Sequence, residues 1–289
     1  MTEYRFTKFT ASDNLSALAL LEELPHGLTE ANLEFALANQ YQIFLLKQES
    51  QLVGLAGIHV YPHLTDTNRA WIHDLITIKN QEPFELQSML LASLRDQCLN
   101  RQCPELAIHI LINNAIANQF FLREAGQPFA FVYEWSRSSW LSSAEQVPTM
   151  NDFQCREIKT LDDMASGLVL LTHFHPTITQ ISLADAMARN YRLFGLWMDE
   201  QLCSIATLIA YPHLNDGMCV WLQDGMTLPT RNYKAAASRL LFYILNDCFR
   251  SGYPTVTVHT RVSSKRTHRF YEAAGGYRIA NAYKWKIDA

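Results

Sequence analysis

The chain has 289 residues, a length that suits about two domains of ordinary size, and its 48% hydrophobic and 11% aromatic content describes packed globular protein rather than disorder. No run of ~18 apolar residues occurs and the N-terminal stretch lacks the apolar core of a signal peptide, so the expectation is a cytoplasmic protein without a membrane partner. The net charge of −4 excludes the basic density of a nucleic-acid binder, yet it is unevenly divided: residues 1–150 carry 9 Lys and Arg against 16 Asp and Glu, and residues 151–289 carry 15 against 12.

The chain repeats itself at an offset of 150. Tyr61-Pro62-His63-Leu64 recurs as Tyr211-Pro212-His213-Leu214, and the same shift pairs Tyr41 with Tyr191, Trp71 with Trp221, Asp74 with Asp224, His109 with His259, Gly126 with Gly276 and Trp135 with Trp285. A period this long is a whole domain that buries its own core, so each copy serves as a control for the other. Of the six cysteines, Cys98, Cys103, Cys155, Cys203, Cys219 and Cys248, only Cys98 and Cys248 correspond, and none forms a CxxC pair. Reduced, buried thiols are expected, with no metal site.

In the second copy, the pattern predicts a strand at Phe153–Ile158, then a helix over Met164–Leu171 capped by Asp162 or Asp163. A break at His173-Phe174-His175-Pro176 leads to a helix over Ser182–Arg189. Three meander strands follow, Tyr191–Met198, Leu202–Ala210 and Met218–Leu228, turning at Asp199-Glu200-Gln201 and Asn215-Asp216-Gly217. A long amphipathic helix, Lys234–Arg250, places Ala237, Leu240, Leu241, Ile244, Leu245 and Cys248 on one face. The copy ends with a strand (Thr255–Thr260), a helix (Ser264–Ala274) stopped by Gly275-Gly276, and an aromatic strand or hairpin (Tyr277–Lys286). The first copy repeats the order, and residues 139–151 read as a linker between domains at 1–138 and 152–289.

That order resembles the GNAT N-acetyltransferase superfamily, and three segments of the second copy carry the resemblance: Trp221–Pro229 as the fourth strand, Pro229–Leu241 as the pyrophosphate loop and its helix, and Ser264–Tyr277, close to Asn-x-x-Ala-x-x-x-Tyr-x-x-x-Gly-Phe. It implies an α/β (α+β) protein of two tandem GNAT-like domains, each a mixed, mostly antiparallel sheet flanked by helices. Acetyl-CoA is the implied cosubstrate, held by Thr227, Leu228, Arg231, Asn232, Lys234, Ala235, Ala236, Ala237 and Ser264. Backbone N–H groups at a helix start suit its pyrophosphate. Asn232, Ala235 and Ala237 depart from the family's Arg/Gln and glycines. Tyr271 falls on the position of the general acid that protonates the leaving thiolate. Gly225 marks a bulge that frees backbone N–H groups toward the thioester carbonyl.

Asp224 reads either as the general base or, because Asp74 survives in the other copy, as a shared structural residue. His173 and His175 are alternative bases or specificity contacts, and Trp197 is a further acceptor contact. Tyr211 and His213 read as a strand-end packing motif. The first copy has Phe121 in place of Tyr271, and Glu82 and Glu85 where phosphates would lie, so it is expected to be a degenerate scaffold. The implied function is N-acetylation of a primary amine on a small molecule or peptide by direct transfer in the C-terminal copy, as a pseudo-symmetric monomer or a homodimer. The acidic first half favours a cationic acceptor. The alternative is a non-catalytic acyl-CoA-binding or protein-interaction module.

Overall fold

Each copy builds a meander whose turns the sequence sets. The computed structural model describes residues 3–13, 17, 20, 29–64, 68–78, 83–143, 153–173, 175–189, 191–214, 217–229 and 232–287. The first copy runs β1 (Tyr4–Lys8), α1 (Glu30–Ala38), β2 (Gln42–Gln48), β3 (Gln51–Pro62), β4 (Asn68–Thr77), α2 (Pro83–Asn100), β5 (Glu105–Leu111), α3 (Ala115–Arg123) and β6 (Gln127–Ser136). A short helix, α4 (Arg137–Ser143), then occupies part of the stretch expected to be linker. Its Trp140 is buried and donates to Asn246 Oδ1 of the second copy at 2.9 Å, so this part of the connection is packed.

The second copy runs β7 (Gln154–Glu157), α5 (Leu161–Leu171), α6 (Gln180–Ala188), β8 (Tyr191–Met198), β9 (Gln201–His213), β10 (Gly217–Thr227), α7 (Tyr233–Arg250), β11 (Thr255–Arg261), α8 (Lys265–Ala273) and β12 (Tyr277–Lys286). Asp199 and Glu200 take positive φ of 50° and 63°, the twist of a two-residue hairpin turn, and join β8 to β9 where expected. Helix α5 begins earlier than predicted: Thr160, not Asp162 or Asp163, caps it by accepting from Asp163 N. Thr179 and Ser182 form a capping box for α6. On α7, Leu240, Leu241, Ile244, Leu245 and Cys248 are buried against β8 to β11, the face that the helical spacing predicts. Burying each of these leucine or isoleucine side chains stabilises by about 1.5–3 kcal/mol.

All twelve strands form one sheet, in the order β1-β2-β3-β4-β5-β12-β6-β11-β10-β9-β8-β7. The two final strands have changed places. β12, from the second copy, pairs with β5 of the first, and β6, from the first, pairs with β11 of the second. Where β6 and β12 meet, Tyr277 faces Glu134 and Lys284 faces Gln127, two pairs that the 150-residue shift converts into each other. This is the isologous contact of a two-fold dimer written into one chain.

The exchange is locked symmetrically. Trp135 Nε1 donates to Ala274 O at 2.9 Å, and Trp285 Nε1 donates to Glu124 O at 2.8 Å. Each indole lies over a glycine of the opposite copy: a Cβ on Gly276 would sit 2.6 Å from the Trp135 ring, and one on Gly126 would sit 2.9 Å from the Trp285 ring. Between the copies, Trp71 and Trp221 meet edge to face at 4.6 Å, with Tyr61 and Tyr211 packed around them.

Candidate functional site

The site of the second copy is built where β10 and β11 part. They pair in parallel only over Val220–Leu222 with Val256–Val258 and then splay. On its other edge, β10 keeps register with β9 to Gln223 and resumes at Met226, so Asp224 and Gly225 bulge out of the ladder, with Asp224 at φ 47°. A cavity of about 170 Å³ opens here between β9, β10, α7 and α8, lined among others by Gly225, Thr227, Ala237, Thr267 and Tyr271. Ala237, Thr267 and Phe270 also line a wider groove of about 750 Å³ between α7 and α8, whose rim carries Lys234, Lys265, Arg266 and Arg269. Asn232 precedes α7 without a side-chain cap bond, so the N–H groups of the first turn face outward uncapped beside Lys234. An uncapped helix start with a basic rim fits a pyrophosphate.

On the other side of the splay, a cavity of about 310 Å³ lies between the two copies, and Leu222 lines both this cavity and the small one. Asp224 sits in it, its Oδ1 accepting from His175 Nε2 at 2.8 Å and its Oδ2 accepting from Thr207 Oγ1 at 3.0 Å. Burial alone would raise the Asp224 pKa, but the His175 hydrogen bond and the nearby imidazoles carry it below the usual carboxylate value. His63, from the first copy, packs edge to face on His175 at 4.8 Å, and burial together with the Arg69 charge holds its pKa down at about 3. Tyr271 rests edge-on against Trp135 of the exchanged β6, and burial pushes its hydroxyl up to about 12.

The sequence-predicted residues divide. Tyr271 and Thr227 line the small cavity, Lys234 lines the groove between α7 and α8, Ala237 lines both, and Asp224 and His175 line the inter-copy cavity. Ala236 is buried in the core, its N–H bonded to Asn232 O, Ala235 packs against the same core, and the Leu228 N–H is taken by Cys203 O. Ser264 caps α8 without a side-chain bond. Arg231 lies outside the described residues. His173, in the turn after α5, is exposed and bonded to Val169 O of that helix. Trp197 is a core residue under the Arg156 guanidinium and belongs to none of these cavities. The reading from sequence missed Tyr61, His63, Arg69, Glu105, Arg261 and Lys284, which line the inter-copy cavity. For the two arginines a signal existed: the 150-residue shift sets Arg69 against Cys219 and Arg261 against Leu111.

The first copy handles the same positions differently. Phe84, at the position of Lys234, stacks on Phe120 at 5.5 Å, and Ser88 bonds Glu124 at 2.6 Å, so α2 and α3 are closed on each other where α7 and α8 leave a groove. Phe121 is buried. Asp74 is hydrogen-bonded by the Tyr41 hydroxyl, and Gly57, at the position of Thr207, leaves the space that this ring fills. The bulge of β4 lies one position earlier, at His73. Glu82 lies outside the described residues.

The GNAT acetyltransferase family model matches residues 7–126, which is most of the first copy. No curated protein matches the chain. A tandem GNAT protein from the clavulanic acid biosynthesis pathway is similar in structure over 99% of this chain and 99% of its own, at 12% identity and a TM-score of 0.61. A GCN5-related N-acetyltransferase from Sphaerobacter thermophilus is similar over 99% and 96%, at 12% identity and a TM-score of 0.63. At such identities the likeness is one of fold. Among the described residues, no helix is long and apolar enough to cross a membrane, and no three His, Cys, Asp or Glu side chains are grouped to hold a metal ion.

Proposed function

From a chain that carries the GNAT acetyltransferase fold twice, with the family model matching its first copy, we propose an acetyl-CoA-dependent N-acetyltransferase whose reaction runs in the second copy. The observation that supports this most directly lies at the splay: the small cavity, which adjoins the groove between α7 and α8, and the inter-copy cavity share Leu222 as a lining residue, with Tyr271 in the first and Asp224 in the second. The cosubstrate supplies an activated thioester. Lys234 and the uncapped start of α7 hold its pyrophosphate, and bulge N–H groups beside Gly225 polarise the carbonyl as negative charge develops on its oxygen. The amine nitrogen forms the C–N bond as the C–S bond breaks. Its proton passes to the Asp224–His175 pair, and the Tyr271 hydroxyl protonates the departing sulfur, regaining a proton from solvent. The first copy serves as a scaffold that walls the acceptor cavity and lends β6 as a backing for Tyr271.

One observation favours a second reading, a non-catalytic acyl-CoA-binding module: Ala235 and Ala237 stand where the resemblance calls for glycines, and the Leu228 and Ala236 N–H groups are already taken by Cys203 O and Asn232 O. Calorimetric titration of acetyl-CoA, with Lys234→Glu alongside, tests the coenzyme assignment. One site per chain, lost in the variant, supports it, and an undiminished site in Lys234→Glu removes it. Turnover of any primary amine then separates the enzyme from the module.

A further inference from the structure

The charge of the inter-copy cavity runs against the acidity of the half that walls it. Three cationic side chains line it, Arg69, Arg261 and Lys284, against two carboxylates, Glu105 and Asp224. Both carboxylates are engaged: Glu105 accepts from Lys284 Nζ at 2.7 Å, and Asp224 is held by His175 and Thr207. Arg69 and Arg261 have no ion pair or side-chain hydrogen bond among the described residues. Two guanidiniums face the cavity, each with a donor fork suited to a planar carboxylate.

The repeat supplies the control. The Arg69 and Arg261 positions become Cys219 and Leu111 in the other copy, while Lys284 becomes Glu134. The Asp74/Asp224 and His63/His213 positions are shared, so the cationic set is specific to the cavity that adjoins the open groove. At about 310 Å³ that cavity is at the small end of ligand sites, which run from about 300 to 1,000 Å³.

We infer that the acceptor is a small amine that also carries a carboxylate, of the amino-acid class, with the carboxylate held by Arg69 and Arg261 and the amine turned toward Asp224. The inference rests on the acetyltransferase reading above. It also fits the chemistry, because guanidiniums near a bound amine disfavour its ammonium form and so ease the loss of the proton that precedes attack. A purely cationic acceptor, which the acidic first half favoured by electrostatic steering, would instead meet the positive charges of Arg69 and Arg261.

The test uses the full chain loaded with coenzyme A, the twenty standard L-amino acids, and for each the amine that lacks its α-carboxylate. Binding is read calorimetrically, and acetylation is read as release of coenzyme thiol from acetyl-CoA. The expected result is that at least one carboxylated member binds and reacts better than its decarboxylated partner. Arg69→Gln should then raise its KM by about 10- to 100-fold, with a smaller change in kcat and unchanged acetyl-CoA affinity. Arg261→Gln, at an exposed strand end, repeats the test where folding is not at issue. If no carboxylated member binds more tightly than its partner, the inference is overturned, while intact acetyl-CoA binding leaves the acetyltransferase reading standing. Failure of acetyl-CoA to bind overturns both.

Discussion

His109 and His259 hold equivalent positions in the two copies, and their Nε2 atoms meet at 2.6 Å where the copies face each other. One nitrogen must donate and the other accept, so the two imidazoles adopt different tautomers and the contact breaks the symmetry of the repeat. They belong to a buried set of neutral histidines. Burial lowers His59 to about 4; burial and then the Arg69 charge lower His63 and His259 to about 3; and His73 and His109 lie well below the ordinary value.

Acid lability follows from that set. A histidine whose folded pKa lies below its unfolded value of 6.5 contributes stability that is complete above pH 6.5 and is lost as pH falls through the folded value. Each unit of difference is worth about 1.4 kcal/mol, so several such groups produce a steep loss. Urea denaturation should give a level midpoint above pH 7 and a falling one from about pH 6.5 toward 4. His59→Leu, which removes an imidazole whose Nδ1 has no partner, should flatten that fall. A wild-type midpoint that stays constant down to pH 4 would contradict the neutral assignment.

The exchanged strands make the halves interdependent. Residues 1–143 alone lack β12 beside β5, and residues 152–289 alone lack β6 beside β11, so each exposes strand edges that the intact chain pairs. Each half produced alone should aggregate or self-associate, and co-production should yield a soluble 1:1 complex. Gly276→Val should destabilise the intact chain by about 1–3 kcal/mol, since its Cβ meets the Trp135 ring. Soluble, monomeric, well-folded halves would show that the exchange is dispensable.

The repeat made the fold legible, because the spacing of Leu240, Leu241, Ile244 and Leu245 and the turn at Asp199-Glu200 each carry a local physical signature. It also matched Gly126 with Gly276 and Trp135 with Trp285. Nothing local tells an indole which copy's glycine it will cover, so the exchange was out of reach. The neighbourhood of Tyr271 and Lys234, on α8 and α7, followed from the sequence for the same local reason. The inter-copy cavity did not, because His63 and Arg69 come from one copy and Asp224 and Arg261 from the other. Trp197 was read as a contact from its chemistry, whereas in β8 it packs in the core beneath Arg156.

Asp74 and Asp224 let the proposed catalytic role of Asp224 be tested against a structural one within one molecule. Asp224→Asn removes the carboxylate that accepts from His175 and should lower kcat by about 10²- to 10⁴-fold, with the residual rate rising with pH as more of the amine deprotonates unaided. Asp74→Asn, which alters the Tyr41 contact in the closed copy, should change stability and leave turnover near wild type. Steady-state kinetics over pH 6 to 10 on both variants decides this. Equal losses of turnover would return Asp224 to a shared structural role.

Tyr271→Phe reproduces in the second copy what the first copy has at Phe121. The ring still fills its place against Trp135, so folding and acetyl-CoA binding should be unchanged, while the proton for the leaving sulfur is lost. With the wild-type hydroxyl held at about 12 by burial, it stays protonated across the working range, and the wild-type profile should show no loss of the acid form below pH 10. The variant's kcat should fall by about 10²- to 10⁴-fold, as for other general acids. The deficit should shrink with an acetyl thioester whose thiol has a lower pKa, because such a thiolate departs without a proton. An equal deficit with both thioesters would assign Tyr271 to packing alone.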